Sequence, residues 1–185
     1  FLSEQQEGAG RVFEFLHLPL QSGDDEVLRL MNRRYCAEDF RRIVGVFRRA
    51  LPRVTVATDV IVGFPGEDEE EAFQRTVALI EEVKPDIVNV SKFFVRPKTL
   101  AEKMKDKVGA EELGRRSEVM ADVARRISLE RNKAWVGWCG QVLIDEKGKK
   151  VGSWVGRNFA YKPVVVYSDE DMLGKVLNAH VVDAF

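Results

Sequence analysis

The stretch that decides the fold is Val54-Thr-Val-Ala-Thr-Asp-Val-Ile-Val-Gly-Phe-Pro-Gly-Glu67. Up to Val62 its residues are apolar or β-branched apart from one carboxylate, a composition typical of a strand buried on both faces. The glycines and the proline that follow favour a tight loop. Carboxylates then fill positions 67 to 71, where they would complement the positive end of a helix dipole. The stretch therefore predicts a strand, a loop and a helix in succession.

The same alternation of strands and helices recurs on both sides of this stretch. Upstream, Val12 to Leu20 predicts a strand that ends in a turn over 21–24, and downstream, Asp86 to Val95 predicts a third strand. Apolar residues at helical spacing predict helices at Glu26–Met31, at Ala37–Ala50 and in the segment that carries Phe73, Val77, Leu79 and Ile80. Strands that alternate with helices pair in parallel.

Three such units are too few to close a barrel, which needs about eight strands and roughly 250 residues. We therefore expect an α/β fold that forms only part of a barrel. Its open sheet edges should pair with a missing N-terminal part of the same protein, or with a second copy in a dimer.

A second pattern begins near Trp135. Ala110 to Lys133 predicts a long connecting helix, and beyond it short β-type runs alternate with glycine and charged turns. These runs are Gln141–Ile144, Val151–Val155, Pro163–Tyr167 and Lys175–Val182. The predicted domains are thus a partial α/β barrel over 1–108, a connecting helix over 109–134 and a small all-β barrel over 135–185.

Bulk properties exclude several classes of protein. The formal net charge is −1, so composition carries no electrostatic signature of nucleic-acid binding. No apolar run approaches the ~20 residues of a membrane span, and the polar, acidic segment Phe1–Arg11 does not resemble a signal peptide. We expect a cytoplasmic protein. The two cysteines, Cys36 and Cys139, are too far apart for their spacing to indicate a metal site or a disulfide.

Strand alternation sorts the polar residues into faces. Val56, Val60 and Val62 share the face that is better suited to pack against helices, and Asp59 shares the other face with Ile61 and Gly63. The face of Asp59 is predicted to point into the barrel lumen, near the end of the strand where such barrels place active sites. The alternative is a buried carboxylate satisfied by backbone amides or a basic neighbour. His17 and Gln21 share one side of the first strand, where a histidine can be a hydrogen-bonded core residue or a catalyst.

Three further features remain open at this level. Lys92, Phe94 and Arg96 alternate with Ser91 and Phe93, and the pattern does not say which set is internal. The Gly63–Glu67 loop can hold a nucleotide or a carboxylate, but ordinary loops use the same residues. In the terminal barrel, basic residues interleave with aromatic ones, which suits either RNA binding or the charged turns of any small barrel. These basic residues include Lys149, Lys150 and Arg157.

Several segments, taken together, resemble the radical S-adenosylmethionine (SAM) methylthiotransferase family. They are His17-Leu-Pro-Leu-Gln-Ser-Gly23, Met31-Asn-Arg-Arg-Tyr35, Thr58-Asp-Val-Ile-Val-Gly-Phe-Pro-Gly-Glu67 and Arg96-Pro-Lys-Thr99. Their order and spacing match over Phe13 to Met104, and the tail from Trp135 is similar to a TRAM domain, a small β-barrel associated with RNA binding. The resemblance implies the C-terminal part of a TIM-like radical SAM barrel followed by a TRAM barrel.

The resemblance also implies cofactors. Members use SAM and two [4Fe–4S] clusters, one held by a Cys-x-x-x-Cys-x-x-Cys motif. Cys36 and Cys139 fit neither cluster motif, so this chain alone is expected to be inactive and to hold no metal. Carried over by position, Ile61, Gly63 and Phe64 are expected to lie against the adenosyl group.

Other residues carry over as polar contacts. Gln21, Ser22 and Asp59 are candidates for contacts with cofactor or substrate, and Arg33 for a charge-assisted pair with the methionine carboxylate. Arg96 and Thr99 are expected beside the substrate entrance. Lys98 stands where the family usually has glycine. No residue is assigned a catalytic role.

Tyr35-Cys36, Asp39-Phe40 and Thr58-Asp59 are similar to the archaeal and eukaryotic branch of the family. That branch converts N6-threonylcarbamoyladenosine at tRNA position 37 into its 2-methylthio derivative. The alternatives are a methylthiotransferase for isopentenyladenosine or for a ribosomal protein, and a non-enzymatic RNA-binding module.

Overall fold

The computed structural model describes residues 12–67, 69–105 and 107–185, so the interpretation of Phe1–Arg11 lies outside the described residues. The first half contains β1 (Phe15–His17), α1 (Asp25–Leu30), α2 (Ala37–Ala50), β2 (Thr55–Val62), α3 (Glu70–Val83), β3 (Ile87–Lys92) and α4 (Leu100–Lys103). The second half contains α5 (Ala110–Lys133), β4 (Cys139–Lys147), β5 (Ser153–Arg157), β6 (Pro163–Tyr167) and β7 (Val176–His180). Among the described helices, none has the length and apolar character needed to cross a membrane.

The chain divides into two compact units. The first, which we call the parallel unit, comprises residues 17–46 and 56–130. The second, the antiparallel unit, comprises the described residues up to Leu16 together with 47–55 and 131–185. The long helix α5 therefore belongs to the parallel unit for all but its last turn.

The three-stranded sheet has the order β1-β2-β3, and β2 and β3 pair in parallel, which confirms the predicted pairing. Their register places Ala57 opposite Ile87 and Asp59 opposite Asn89. One side of β2 is closed by a core of fully buried side chains from the surrounding helices, such as Leu28, Phe73 and Ile80. Full burial of one such side chain stabilises a fold by about 1.5–3 kcal/mol relative to exposure.

Local chemistry explains where the elements depart from the sequence predictions. β1 is only three residues long, because Pro19 lacks an N–H and Gln21 adopts a positive φ of 70°. α3 begins at Glu70 rather than at Glu67, so Glu67 lies in the preceding loop. The short helix α4 was not predicted. It follows Thr99, whose hydroxyl donates to the carbonyl of Arg96 at 2.7 Å.

The antiparallel unit contains a four-stranded sheet of order β6-β5-β4-β7, with an irregularity in β4 between Ile144 and Glu146. Val142, Ile144 and Trp154 form its buried core. β5 begins two residues later than predicted, at Ser153, because Gly152 turns with a φ of 70°. Among the described strands, β6 and β7 are the sheet edges, so a closed barrel stays a prediction.

Candidate active site

Near its C-terminal end, β2 is open on the face that carries Asp59, whereas the opposite face is closed. Thr55 and Ala57, which come earlier on the same face as Asp59, are buried. Val56, Val60 and Val62 are fully buried, as the alternation predicts, while Asp59 and Ile61 are half-buried. In β3, Asn89 and Ser91 lie opposite Asp59 and Ile61 and are exposed. Since partners in a parallel register share a face, these four side chains form one open surface. The register also answers the open question about β3, because Ser91 and not Lys92 lies on the face of Asp59.

A hydrogen-bonded row crosses this open face. His17 Nε2 lies 3.0 Å from Asp59 Oδ2, and the Asn89 side-chain amide donates to Asp59 Oδ1 at 2.9 Å. An ionised carboxylate only accepts hydrogen bonds, so a contact with one requires the proton on Nε2 of His17. The side chains of His17 and Asp59 are 47% and 31% exposed, so this histidine is not a core residue. The row joins one residue from each strand of the sheet.

Gln21 and Ser22 lie where β1 runs out beside β2. The Gln21 N–H donates to the carbonyl of Asp59 at 2.8 Å, and the Ile61 N–H donates to the carbonyl of Gln21 at 2.9 Å. The Ser22 hydroxyl is fully buried and hydrogen-bonded to that of Thr76 at 3.3 Å. The Asp24 N–H also donates to Ser22 Oγ at 3.2 Å. The backbone of Gln21 thus extends the sheet, while the Ser22 hydroxyl is used within the fold.

The loop after β2 is tightly folded. Gly63 has a φ of 78°, and a Cβ at this position would overlap the side chain of Leu113. Glycine is therefore favoured by the backbone conformation, and any larger residue would also have to displace the Leu113 side chain. The Gly63 N–H donates to Glu67 Oε2 at 2.5 Å, which closes the loop. The Phe64 ring packs edge-on against Phe93, with centroids 4.9 Å apart.

Glu67 is a site feature that the sequence reasoning misplaced. The sequence predicts that its carboxylate lies in the first turn of a helix and complements the helix dipole, but Glu67 is fully buried in the loop before that helix. Burial raises the pKa of the Glu67 carboxyl to about 7, against the opposing effects of the Gly63 N–H and Arg116. Arg116 of α5 donates to the Glu67 carbonyl and is itself buried. A signal was available, because Arg116 falls on the apolar stripe of α5, three residues after Leu113 and four before Met120.

The remaining predicted contacts lie in separate exposed segments. Arg33 follows α1, and Arg96 follows β3. Lys98 has a φ of 66°, in the left-handed region that favours glycine. This backbone conformation gives a physical reason why the family resemblance implies glycine at this position. The Lys98 N–H donates to Glu102 Oε2 at 2.8 Å, and this bond holds the turn with a lysine in place.

The predicted RNA-binding residues of the antiparallel unit differ in their surroundings. Lys149 and Lys150 are exposed in the turn between β4 and β5. Arg157 is only 20% exposed, because it donates to Asp145 Oδ2 at 3.1 Å and to Glu146 Oε1 at 3.2 Å. Its guanidinium also stacks over the Tyr161 ring at 5.1 Å. The sequence did not single out Lys162 for burial, yet this residue is buried and its Nζ donates to Asn132 Oδ1 at 2.9 Å.

The cysteines do not form a cluster site. Cys36 is half-buried, with its thiol 3.3 Å from Asp39 Oδ2, and Cys139 is exposed. No group of three or more His, Cys, Asp or Glu residues in the described part of the chain is placed to hold a metal. The residues present therefore do not fit an iron–sulfur cluster.

Comparison with known proteins identifies the class first. The family model of the Radical SAM superfamily matches residues 6–80, which include β1, β2 and the Gly63–Glu67 loop. A Pyrococcus horikoshii protein named as a probable threonylcarbamoyladenosine tRNA methylthiotransferase is 44% identical over 94% of this chain and 40% of its own length. A Xenopus laevis protein named threonylcarbamoyladenosine tRNA methylthiotransferase is 37% identical over 94% of this chain and 31% of its own length.

A third relative carries a different name. A Geotalea uraniireducens protein named tRNA-2-methylthio-N(6)-dimethylallyladenosine synthase is 38% identical over 90% of this chain and 38% of its own length. The chain belongs to the radical SAM methylthiotransferase family. It spans about two fifths of the length of the curated relatives that it matches.

Proposed function

We propose that this chain is part of a tRNA methylthiotransferase that converts N6-threonylcarbamoyladenosine at position 37 into its 2-methylthio derivative by radical SAM chemistry. The observation that carries the proposal is the 44% identity, over 94% of the chain, to a protein named for this activity. Since the chain spans only part of such proteins, the activity belongs to the longer parent protein. Two [4Fe–4S] clusters would be held by residues outside this chain.

The open face supports a nucleoside-binding role. Ile61 and the Phe64–Phe93 ring pair offer an apolar surface at the end of the strands, and the row of His17, Asp59 and Asn89 offers donors and acceptors beside it. SAM, together with a [4Fe–4S] cluster held outside this chain, would supply the radical chemistry that acts on an unreactive C–H bond. In this proposal, Ile61, Gly63 and Phe64 contact the adenosyl group.

Polar contacts complete the proposed cofactor site. Asp59 acts through its bonds to His17 and Asn89, and Gln21 offers its side-chain amide. Ser22 supports the segment from its buried position, because its hydroxyl is used by Thr76 and Asp24. Arg33 provides the charge for the methionine carboxylate. Arg96 and Thr99, in the loop after β3, flank the substrate entrance.

Residues 135–185 are proposed as a TRAM-type RNA-binding barrel, which follows a partial TIM-like barrel over 1–108 and the connector over 109–134. Lys149, Lys150 and Arg157 would face tRNA phosphate. Lys149 and Lys150 are exposed, so replacing both with alanine should weaken tRNA binding and reduce its salt slope by about two. Arg157 is tied to Asp145 and Glu146, so its replacement should matter less. Unchanged affinity in a gel-shift titration would contradict this interface.

The sheet edge at β3 has a proposed partner. In the described order β1-β2-β3, β3 is an edge strand with exposed residues on both faces. The remaining part of the parent protein would supply the next strand, as barrel closure requires. A dimer of this chain through the same edge is the alternative, and sedimentation of the isolated chain distinguishes the two.

The function is tested by mass spectrometry of tRNA nucleosides from cells that lack the parent gene. Loss of 2-methylthio-N6-threonylcarbamoyladenosine supports the proposal. Loss of the 2-methylthio derivative of isopentenyladenosine instead would favour the relatives named dimethylallyladenosine synthases. No change in either nucleoside would leave a non-catalytic RNA-binding module. The isolated chain should form no 5′-deoxyadenosine from SAM and a reductant.

A further inference from the structure

A buried arginine on α5 has no role in the chemistry described so far. The side chain of Arg116 is only 2% exposed, although an arginine is almost always charged. Burying a charge is costly unless partners compensate for it. Its Nε donates to Glu112 Oε1 at 2.6 Å, and its guanidinium lies 5.4 Å from the centre of the Phe73 ring. Its other contacts explain why it is buried.

Arg116 holds the end of the Gly63–Glu67 loop. Its Nη1 donates to the backbone carbonyl of Glu67 and lies 3.8 Å from Glu67 Oε2. The same Oε2 accepts from the Gly63 N–H at 2.5 Å. Arg116 therefore holds Glu67, the last residue of the loop, and Glu67 in turn binds Gly63, the first residue.

Leu113 holds the start of the loop from the same helix. Its side chain occupies the space beside Gly63 that a Cβ would fill. Leu113 and Arg116 are three residues apart, so they lie on one face of α5. One turn of α5 thus contacts both ends of the loop.

The loop needs such support because of its own composition. Gly63 and Gly66 adopt positive φ values of 78° and 97°, and glycine is the residue with the widest backbone freedom. Two glycines within four residues would let the loop sample many conformations. Pro65 fixes only its own φ angle among the residues of the loop.

We infer that Arg116 and Glu67 are positioning residues, which fix the Gly63–Glu67 loop in the conformation that receives the nucleoside of SAM. The inference rests on the proposed function for its ligand, but the clamp itself rests on the contacts of Arg116, Glu67 and Leu113. Neither residue touches the ligand. Both act through the loop backbone.

The experiment uses the full-length parent protein with the variants Arg116→Met and Glu67→Gln. Met keeps much of the apolar stem of the side chain but removes the donors and the charge. The matched control is Arg126→Met, which removes an exposed ion pair between the same helix and Glu81 of α3. Hydrogen–deuterium exchange of loop peptides is measured without added SAM, and SAM binding is measured on protein with reconstituted clusters.

Arg116→Met should speed amide exchange at Gly63, Phe64 and Gly66 by about tenfold. It should weaken SAM binding by about tenfold, because a loop that leaves its conformation no longer fits the nucleoside of SAM. The KM for SAM should rise while kcat at saturating SAM stays near that of the wild type. Glu67→Gln should show a smaller effect of the same kind, and Arg126→Met should show neither.

Two results would overturn the inference. Unchanged loop exchange in Arg116→Met would show that Arg116 does not hold the loop, and an equal rise across β2, α3 and α5 would show a purely structural role. If Arg116→Met fails to fold, Leu113→Ala tests the same clamp by emptying the space beside Gly63. Unchanged amide exchange of the loop in Leu113→Ala would then contradict the inference. If the wild-type protein binds no SAM but Arg116→Met still speeds exchange of the loop, the proposed function is refuted. The conclusion that Arg116 holds the loop would then remain.

Discussion

The two sheets of this molecule bury their residues in different ways. In the parallel unit, the helix-facing side of β2 is completely buried, while the opposite side carries the half-buried Asp59 and Ile61. In the antiparallel unit, the core consists of Val142, Ile144 and Trp154, packed against partly buried neighbours. The candidate site lies at this half-buried part of the first sheet, around Asp59 and Ile61.

In β2, the alternation of side chains separates the residues that form the buried core from the residues that form the candidate site. Residues on one face supply the buried core, and residues on the other supply hydrogen-bonding groups that the core does not need. In β4 of the antiparallel sheet, Val142 and Ile144 are likewise buried while Gln141 and Leu143 are exposed, but the core there is formed by a few large side chains. The following changes test this separation.

The largest expected effect is on the helix-side core of the parallel unit. Phe73→Ala should lower the free energy of unfolding by about 3–5 kcal/mol, because Phe73 is fully buried and its loss leaves a cavity. Phe94→Ala makes the same chemical change at a residue that is 79% exposed, and it should cost less than about 0.5 kcal/mol. Urea denaturation of both variants measures the difference. Equal costs would contradict a one-sided core.

The next effect is a dependence of stability on pH that comes from Glu67. Its carboxyl has a pKa of about 7 when folded and 4.5 as the ordinary value, so the folded state favours the protonated form. The contribution of Glu67 to the free energy of unfolding is therefore greatest below pH 4.5 and is lost as pH rises to about 7. The loss amounts to about 3 kcal/mol.

Glu67→Gln should remove that dependence, because glutamine keeps an acceptor for the Gly63 N–H but does not ionise. Unfolding free energies measured between pH 4 and pH 8 for the wild type and the variant provide the check. Parallel pH curves for the two proteins would show that Glu67 titrates normally.

A smaller pair of effects has opposite signs. At Gly156 in β5, a Cβ would lie 2.7 Å from the carbonyl of Leu143 and 2.9 Å from Ile144 Cδ1, so Gly156→Ala should cost about 1–3 kcal/mol. At Gly114 in α5, nothing lies within 4 Å of the added Cβ, so Gly114→Ala should stabilise the helix by about 0.5–1 kcal/mol. Thermal melting of both variants measures the two shifts. A stabilising Gly156→Ala would mean that the antiparallel sheet is packed more loosely than its core contacts indicate.

The smallest effect on stability is expected on the open face. Asp59→Asn should change the free energy of unfolding by less than about 1 kcal/mol, because the pair that Asp59 forms with His17 is partly exposed. The methylthiolation proposed for the parent protein should nevertheless fall, since the single amide oxygen of asparagine cannot accept both of the hydrogen bonds that Asp59 accepts from His17 and Asn89. Asp122→Asn, which breaks an exposed ion pair with Arg125 on α5, is the matched control. A variant that unfolds more easily but retains full activity would place Asp59 in the scaffold.

The strand sequence was informative about the faces of β2 and less so about their partners. Alternation correctly assigned Val56, Val60 and Val62 to the buried side and Asp59 to the other. It did not reveal that His17 and Asn89, which are 42 and 30 residues away, would bind the two oxygens of Asp59. Likewise, a cluster of carboxylates after the loop suggested a helix start, and burial of Glu67 became visible only with Arg116 in place.

By itself, the sequence determined the order of strands and helices, the parallel pairing and the family, because spacing and short motifs are local properties of the chain. Tertiary structure alone decided which residues became partners. Arg116 meets Glu67 across 49 residues, and that meeting depends on how α5 packs against the loop. Register and packing depend on the whole fold, so no local pattern could have predicted that a buried glutamate and a buried arginine would hold the loop together.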